Sequence, residues 1–153
     1  MRTNIMGAYS DLKRFAEVCE QVAAERNTPI CVTILDIHGH PVLLHRQPGA
    51  YVLALEMAER KAYTSAAFNC ESIALMAAIQ PGLPGYTLTS SSSRFIAFGG
   101  GTSVTFGSER FGIGISGGAT DRQDMAMLAA AQDRYVADGA VWAERKFDPK
   151  THT

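Results

Sequence analysis

Two glycine clusters are the first candidates for chemistry in this chain. Gly99-Gly100-Gly101 follows the apolar run Phe95-Ile96-Ala97-Phe98, and Gly112-Ile113-Gly114-Ile115-Ser116-Gly117-Gly118 leads into Thr120-Asp121-Arg122-Gln123. Glycine lets a backbone come close to a ligand and permits positive φ. A helix starting at Thr120 would add free N–H groups and partial positive charge, which suit a carboxylate or phosphate. Neither cluster is a Walker loop, since no Lys-Ser/Thr pair follows. Neither is a dinucleotide fingerprint, since no βαβ unit surrounds it. The structural alternative is that Gly112 and Gly114 seat one sheet face under a helix while Gly117-Gly118 make a turn.

Lys61 and Thr64 share a face of a helical segment, three residues apart, beside a stripe of small residues. Lys61 could aim its ammonium into a pocket next to the glycines and pair with a carboxylate or propionate; a solvated helix lysine is the alternative. Gln123 completes the set of candidate ligand-binding residues: Lys61, Thr64, Gly99, Gly100, Gly101, Gly117, Gly118 and Gln123. His38 and His40 flank Gly39 in a turn, and His45 ends the next strand, so these three are the candidate axial donors to a haem iron. Exposed turn histidines are the alternative. His152 lies in the tail and is given no role. No histidine has the cysteine or aspartate spacing of a zinc site, so no metal centre is expected. Ser116 lacks the nucleophile-elbow flanks. Asp121 and Asp124 fall in the first turn of the last helix, where capping is the expected role. Cys19, Cys31 and Cys70 are odd in number and far apart, which points to free thiols. Met6, Met57, Met76, Met125 and Met127 are expected to fill the core.

These residues need elements to position them. Leu12, Phe15, Ala16, Cys19, Val22 and Ala23 form a helical stripe, with Ser10 as a candidate cap and Asn27-Thr28-Pro29 as the stop. Ile30–Leu35 and Val42–His45 read as two strands around the turn Asp36–Pro41. A helix over about Ala50–Phe68 carries the small-residue face Leu55, Ala58, Ala62 and Ala66, and a shorter helix spans about Glu71–Ile79. Gly82–Ser93 is loop-like. Phe95–Phe98, Ser103–Phe106 and Phe111–Ser116 are predicted strands, the last two joined by a hairpin turn. Thr120 to Gln123 fits a capping box, and the helix it opens is expected to reach about Asp138, with Gly139 as its C-cap. The tail, with the lone Trp142, is expected to be loosely held or docked on a neighbouring subunit. The order α-β-β-α-α-β-β-β-α, with hairpin links, predicts an α+β fold: an antiparallel sheet of about five strands flanked by helices.

The chain has 153 residues, and 14 Lys+Arg against 15 Asp+Glu leave a net charge of −1. Nothing there supplies the basic surplus of a phosphate-contacting nucleic-acid binder. Apolar residues make up 46% and charged residues 19%, below the roughly 25% of an ordinary domain. That balance gives a real core and surface to hide, so self-association is expected. No window approaches the roughly 20 apolar residues of a membrane span. Met1–Ser10 has no apolar core of a secretory signal, so a cytoplasmic location is expected.

Four stretches occur in the order and at the distances found in the GlcG/HbpS haem-binding-like family, which includes the C-terminal domain of PduO-type proteins. They are Val32-Thr33-Ile34-Leu35-Asp36 with Gly39 and Pro41-Val42; Lys61-Ala62-Tyr63-Thr64-Ser65; Phe98-Gly99-Gly100-Gly101; and Phe111 to Thr120 with Gln123-Asp124. The chain resembles this family over about 12–138, within a single domain of 1–153 whose residues 139–153 form a tail. The resemblance implies a profilin-like fold and dimers that build larger homo-oligomers, octamers included. It also implies a role beside glycolate, diol or glycerol metabolism, with haem bound in some members. Arg46-Gln47-Pro48-Gly49-Ala50 lacks an acidic residue that many members carry, and a serine run precedes Arg94. Together with the missing leader, these departures favour an intracellular accessory protein over an extracellular haem sensor.

The expected function is therefore a non-catalytic protein that holds a small-molecule ligand or cofactor, with haem as the candidate. One alternative is a chaperone-like accessory of a cobalamin-dependent dehydratase. The other is an enzyme using Lys61 as base or Schiff-base lysine, with Asp124 or Asp36 as its acid partner.

Overall fold

The computed structural model describes residues 5–146. Helix α1 (Ile5–Glu25) leads into strands β1 (Cys31–Asp36) and β2 (Pro41–Arg46), then helix α2 (Val52–Phe68). A 3-10 helix (Ser72–Ala78) and the one-turn α3 (Leu88–Ser91) follow. Strands β3 (Gly101–Phe106) and β4 (Glu109–Ser116), helix α4 (Asp121–Arg134) and the short β5 (Ala140–Trp142) complete the fold. The five strands form one sheet in the order β2-β1-β4-β3-β5, with every pair antiparallel.

The two faces of the sheet are covered differently. On one face α1 and α4 pack over Val32, Ile34, Val104, Ile113 and Ile115, all fully buried. The predicted stripe of α1 lies wholly within this core. Ala8 extends it by one turn at the same spacing, and burial of that turn carries the helix past Ser10, which lies inside it. The other face carries α2, with the 3-10 helix at the β3 side. A Cβ on Gly114 would overlap the Ala58 carbonyl and stand 2.7 Å from the Ala62 amide nitrogen. One on Gly112 would overlap the Ala62 carbonyl and stand 2.8 Å from the Ala66 nitrogen. The alternate glycines of β4 and the four-residue alanine period of α2 thus bring helix and sheet backbones into direct contact.

The predicted strand at Phe95–Phe98 is a correction: the segment is irregular, and its backbone is held by side chains. Thr64 Oγ1 accepts from the Ile96 amide at 3.0 Å, and Ser72 Oγ donates to the Phe98 carbonyl at 2.6 Å. The sheet edge that this run would occupy is taken by β5, in register Val104–Trp142 through Phe106–Ala140. Ala140–Trp142 of the tail therefore dock on the chain's own sheet, and the Trp142 ring lies 4.9 Å from that of Phe15. Helix α4 ends at Arg134, short of Asp138; the Tyr135 hydroxyl donates to Asp11 Oδ1 on α1 at 2.8 Å, and Gly139 serves the turn into β5 with φ +76°. His152 lies outside the described residues.

Candidate functional site

Lys61 is 2% exposed, although it sits mid-helix in a charged stretch. Its position on the buried face of α2 sends the side chain along the sheet towards the start of α4. There the ammonium donates to the Ile115 carbonyl at 3.0 Å and to Asp124 Oδ2 at 2.8 Å. The second carboxylate oxygen of Asp124 accepts from the Gly118 amide at 2.8 Å. Asp124 is therefore the buried counter-ion of Lys61 as well as a first-turn residue of α4. Burial draws the Lys61 pKa below the usual lysine range, and the adjacent Asp124 carboxylate opposes that pull. Burial pushes the Asp124 carboxyl up, against the Lys61 ammonium and the Gly118 amide.

The glycine clusters meet at this pair. A Cβ on Gly100, which has φ +114°, would lie 2.7 Å from the Ile115 carbonyl and 3.0 Å from the Lys61 ammonium. Only glycine fits there. Gly101 donates to Ser72 Oγ at 2.9 Å, and Gly99 donates to Asp121 Oδ2 at 3.0 Å. Asp121 thus ties the triple glycine to α4. Gln123 caps the same helix: its amide donates to Thr120 Oγ1 at 3.3 Å, and its side-chain oxygen takes the Ala119 amide at 2.8 Å, one residue before the N-cap. Thr64 is fully buried and holds Arg60 and Ile96. Lys61, Gly99–Gly101, Gly118 and the α4 start therefore converge, while Gly117 packs against Pro29 and Ile30. Inside this cluster the Lys61 ammonium and both carboxylate oxygens of Asp124 have protein partners.

Open volume lies on the far side of Asp121. A cavity of about 720 Å³ runs between the 3-10 helix and the first turns of α4, within the ~300–1,000 Å³ usual for small-molecule sites. Ile73, Ala74, Met76, Ala77 and Gln80 line it from the 3-10 helix and its end, Asp121, Arg122 and Met125 from α4, and Lys146 from beyond β5. Met125 packs its thioether on Gly99, so the triple glycine is the support of this wall. Sequence reasoning assigned Met76 and Met125 to core filling and missed the cavity. The available signal was their place on two elements that both border the glycine cluster.

The histidines are elsewhere. His38 and His40 occupy the β1–β2 turn, where Asp36 Oδ1 accepts both of their amides, at 2.8 and 3.0 Å. Arg94 holds that turn against α2: it donates to the Gly39 carbonyl at 3.0 Å and lies 3.8 Å over the Tyr63 ring. His45, on β2, is 2.7 Å from Glu20. Strands β1 and β4 separate β2 from β3, and none of the three histidines lines the cavity. Among the described residues no cluster of metal-ligating side chains occurs, the three cysteines are free, and no helix is long and apolar enough to cross a membrane.

A family described as haem degrading protein HbpS-like matches residues 8–133. The chain is 31% identical over 125 residues to a 15.0 kDa protein from the dhaT-dhaS intergenic region of Citrobacter freundii, covering 80% of this chain and 87% of that one. It is also 31% identical over 132 residues to the corrinoid adenosyltransferase PduO of Salmonella typhimurium, covering 84% of this chain but only 39% of PduO. Among solved structures, a PduOC–heme complex superposes with a TM-score of 0.75 at 31% identity, covering 82% of this chain and 92% of that one.

Proposed function

The chain belongs to the HbpS-like family, and from that premise we propose that it binds a haem-type cofactor in the cavity between the 3-10 helix and α4. The observation that carries this reading is the cavity itself: about 720 Å³, lined by Ile73, Ala74, Met76, Ala77 and Met125, with Arg122 and Lys146 also in the lining. A porphyrin has that character, a broad apolar body with acidic groups on one edge. The 31% identical PduOC chain, which was solved with heme, supports the choice. Met76 and Met125 are the thioether donors at hand, Ile73, Ala74 and Ala77 shield the ring, and the cations face its carboxylates. Bound haem would supply a redox-active iron. None of Lys61, Thr64, Gly99–Gly101, Gly117, Gly118 and Gln123 lines the cavity; Gly99 supports it from behind, through Met125 and Asp121.

This is a binding protein in a homo-oligomer, acting as an accessory in cobalamin-linked diol or glycerol metabolism. The corrinoid adenosyltransferase among its relatives supports that context. Exposed Tyr51, Val52 and Leu53 at the start of α2 support self-association. The Lys61 enzyme is the weaker reading, because its ammonium is buried and already held by Ile115 and Asp124.

Haemin titration tests the binding. A saturable Soret shift at one haemin per protomer is expected, with thermal stabilisation of about 2.7 kcal/mol at 100 times Kd. A flat titration with an unchanged melting temperature overturns the reading.

A further inference from the structure

We propose that this cavity recognises its ligand through a carboxylate held by Arg122 and through apolar contact, with no dependence on an iron–imidazole bond. The inference rests on the binding function just proposed and specifies its chemistry.

Arg122 carries the argument. It is exposed on the first turn of α4, borders the cavity, and has no hydrogen-bond or ion-pair partner among the described residues. The neighbouring polar groups are committed. Asp121 accepts from the Gly99 amide, Gln80 donates to the Met76 carbonyl at 2.8 Å, and the Lys146 ammonium is 3.1 Å from Glu144. With Lys146 paired to Glu144 and Asp121 engaged by the Gly99 amide, Arg122 is the cation of the lining left for an anion. A guanidinium can grip a carboxylate with two parallel hydrogen bonds, which a point charge cannot do. The apolar part of the lining is alkyl and thioether, from Ile73, Ala74, Met76, Ala77 and Met125. No imidazole from the described residues lines the cavity. Its ligand class is thus an amphipathic carboxylate with a flat or bulky apolar body, metallated or not.

The test compares three probes on the wild type and on Arg122→Gln: haemin, metal-free protoporphyrin IX and the dimethyl ester of protoporphyrin IX. Metal-free protoporphyrin IX is expected to bind within about threefold of haemin. The diester should bind about tenfold or more weakly, the loss expected for one charge-assisted hydrogen bond. Arg122→Gln should weaken both acids about tenfold, leave the diester unchanged, and melt as the wild type does, because Arg122 supports nothing else in the fold. Haemin binding a hundredfold tighter than the metal-free ring overturns the inference while the binding function stands. Haemin affinity unchanged in Arg122→Gln does the same. Failure of all three probes on the wild type overturns both.

Discussion

Gly114→Val should leave little folded protein. Any Cβ at this position overlaps the Ala58 carbonyl and crowds the Ala62 nitrogen, both of which are α2 backbone. Neither atom can yield by a rotamer change, so the whole helix must lift from β4. Gly112, two residues back, makes the same demand on Ala62 and Ala66, and the helix cannot pivot about it. Lifting α2 exposes Ala54, Ala58 and Ala62 and withdraws Lys61 from Asp124. The expected cost exceeds about 4 kcal/mol, the exceptional end of single substitutions, out of a typical total of about 5–15 kcal/mol. Gly82→Ala is the control. Gly82 has φ +88°, but a Cβ added there would have no atom within 4 Å, so only left-handed strain of about 1–2 kcal/mol applies. Urea unfolding compares the two. Equal midpoints would mean that α2 is not seated on the glycines.

Asp124→Ala should be the most damaging change among the polar residues. It leaves the Lys61 ammonium buried with the Ile115 carbonyl as its remaining acceptor, and strips the Gly118 amide of its partner. Removing one member of a buried ion pair costs about 3–5 kcal/mol. For a chain of this length that lowers the melting temperature by roughly 6–20 °C. Removing both charges together, in Lys61→Met with Asp124→Leu, should restore most of the loss, because two desolvated charges then disappear with their bond. Chemical denaturation of Lys61→Met, Asp124→Leu and the double variant gives the coupling directly. Single variants within about 1 kcal/mol of the wild type would show that the pair is not the junction of α2, β4 and α4.

What was legible in the sequence was local and periodic. The α1 stripe, the β1–β2 hairpin, the glycine–alanine match of β4 with α2 and the cap at Thr120 each leave a regular spacing, and each stands in the structure. Contacts set by distant partners left no such mark. Phe95–Phe98 has strand composition, but the edge of β3 goes to Ala140–Trp142 from the tail. The apolar pattern of α4 runs on past Arg134, while Tyr135 leaves the helix to bond Asp11 on α1. Composition favours a solvated Lys61; its burial depends on Asp124, 63 residues away. The cavity was the least legible feature, because it needs the 3-10 helix, Gly99 and Met125 to meet, and a methionine in a helix signals core filling equally well.

The proposed binding function puts haemin in the space between the 3-10 helix and α4. Ala74 faces that space from the 3-10 wall, and Ala74→Trp would plug it with an indole. Haemin titration of this variant is the most direct measurement. Ala74→Trp should keep the melting temperature of the ligand-free protein and lose the Soret shift. A variant that takes up haemin with wild-type affinity would place the ligand somewhere else and overturn the proposed site.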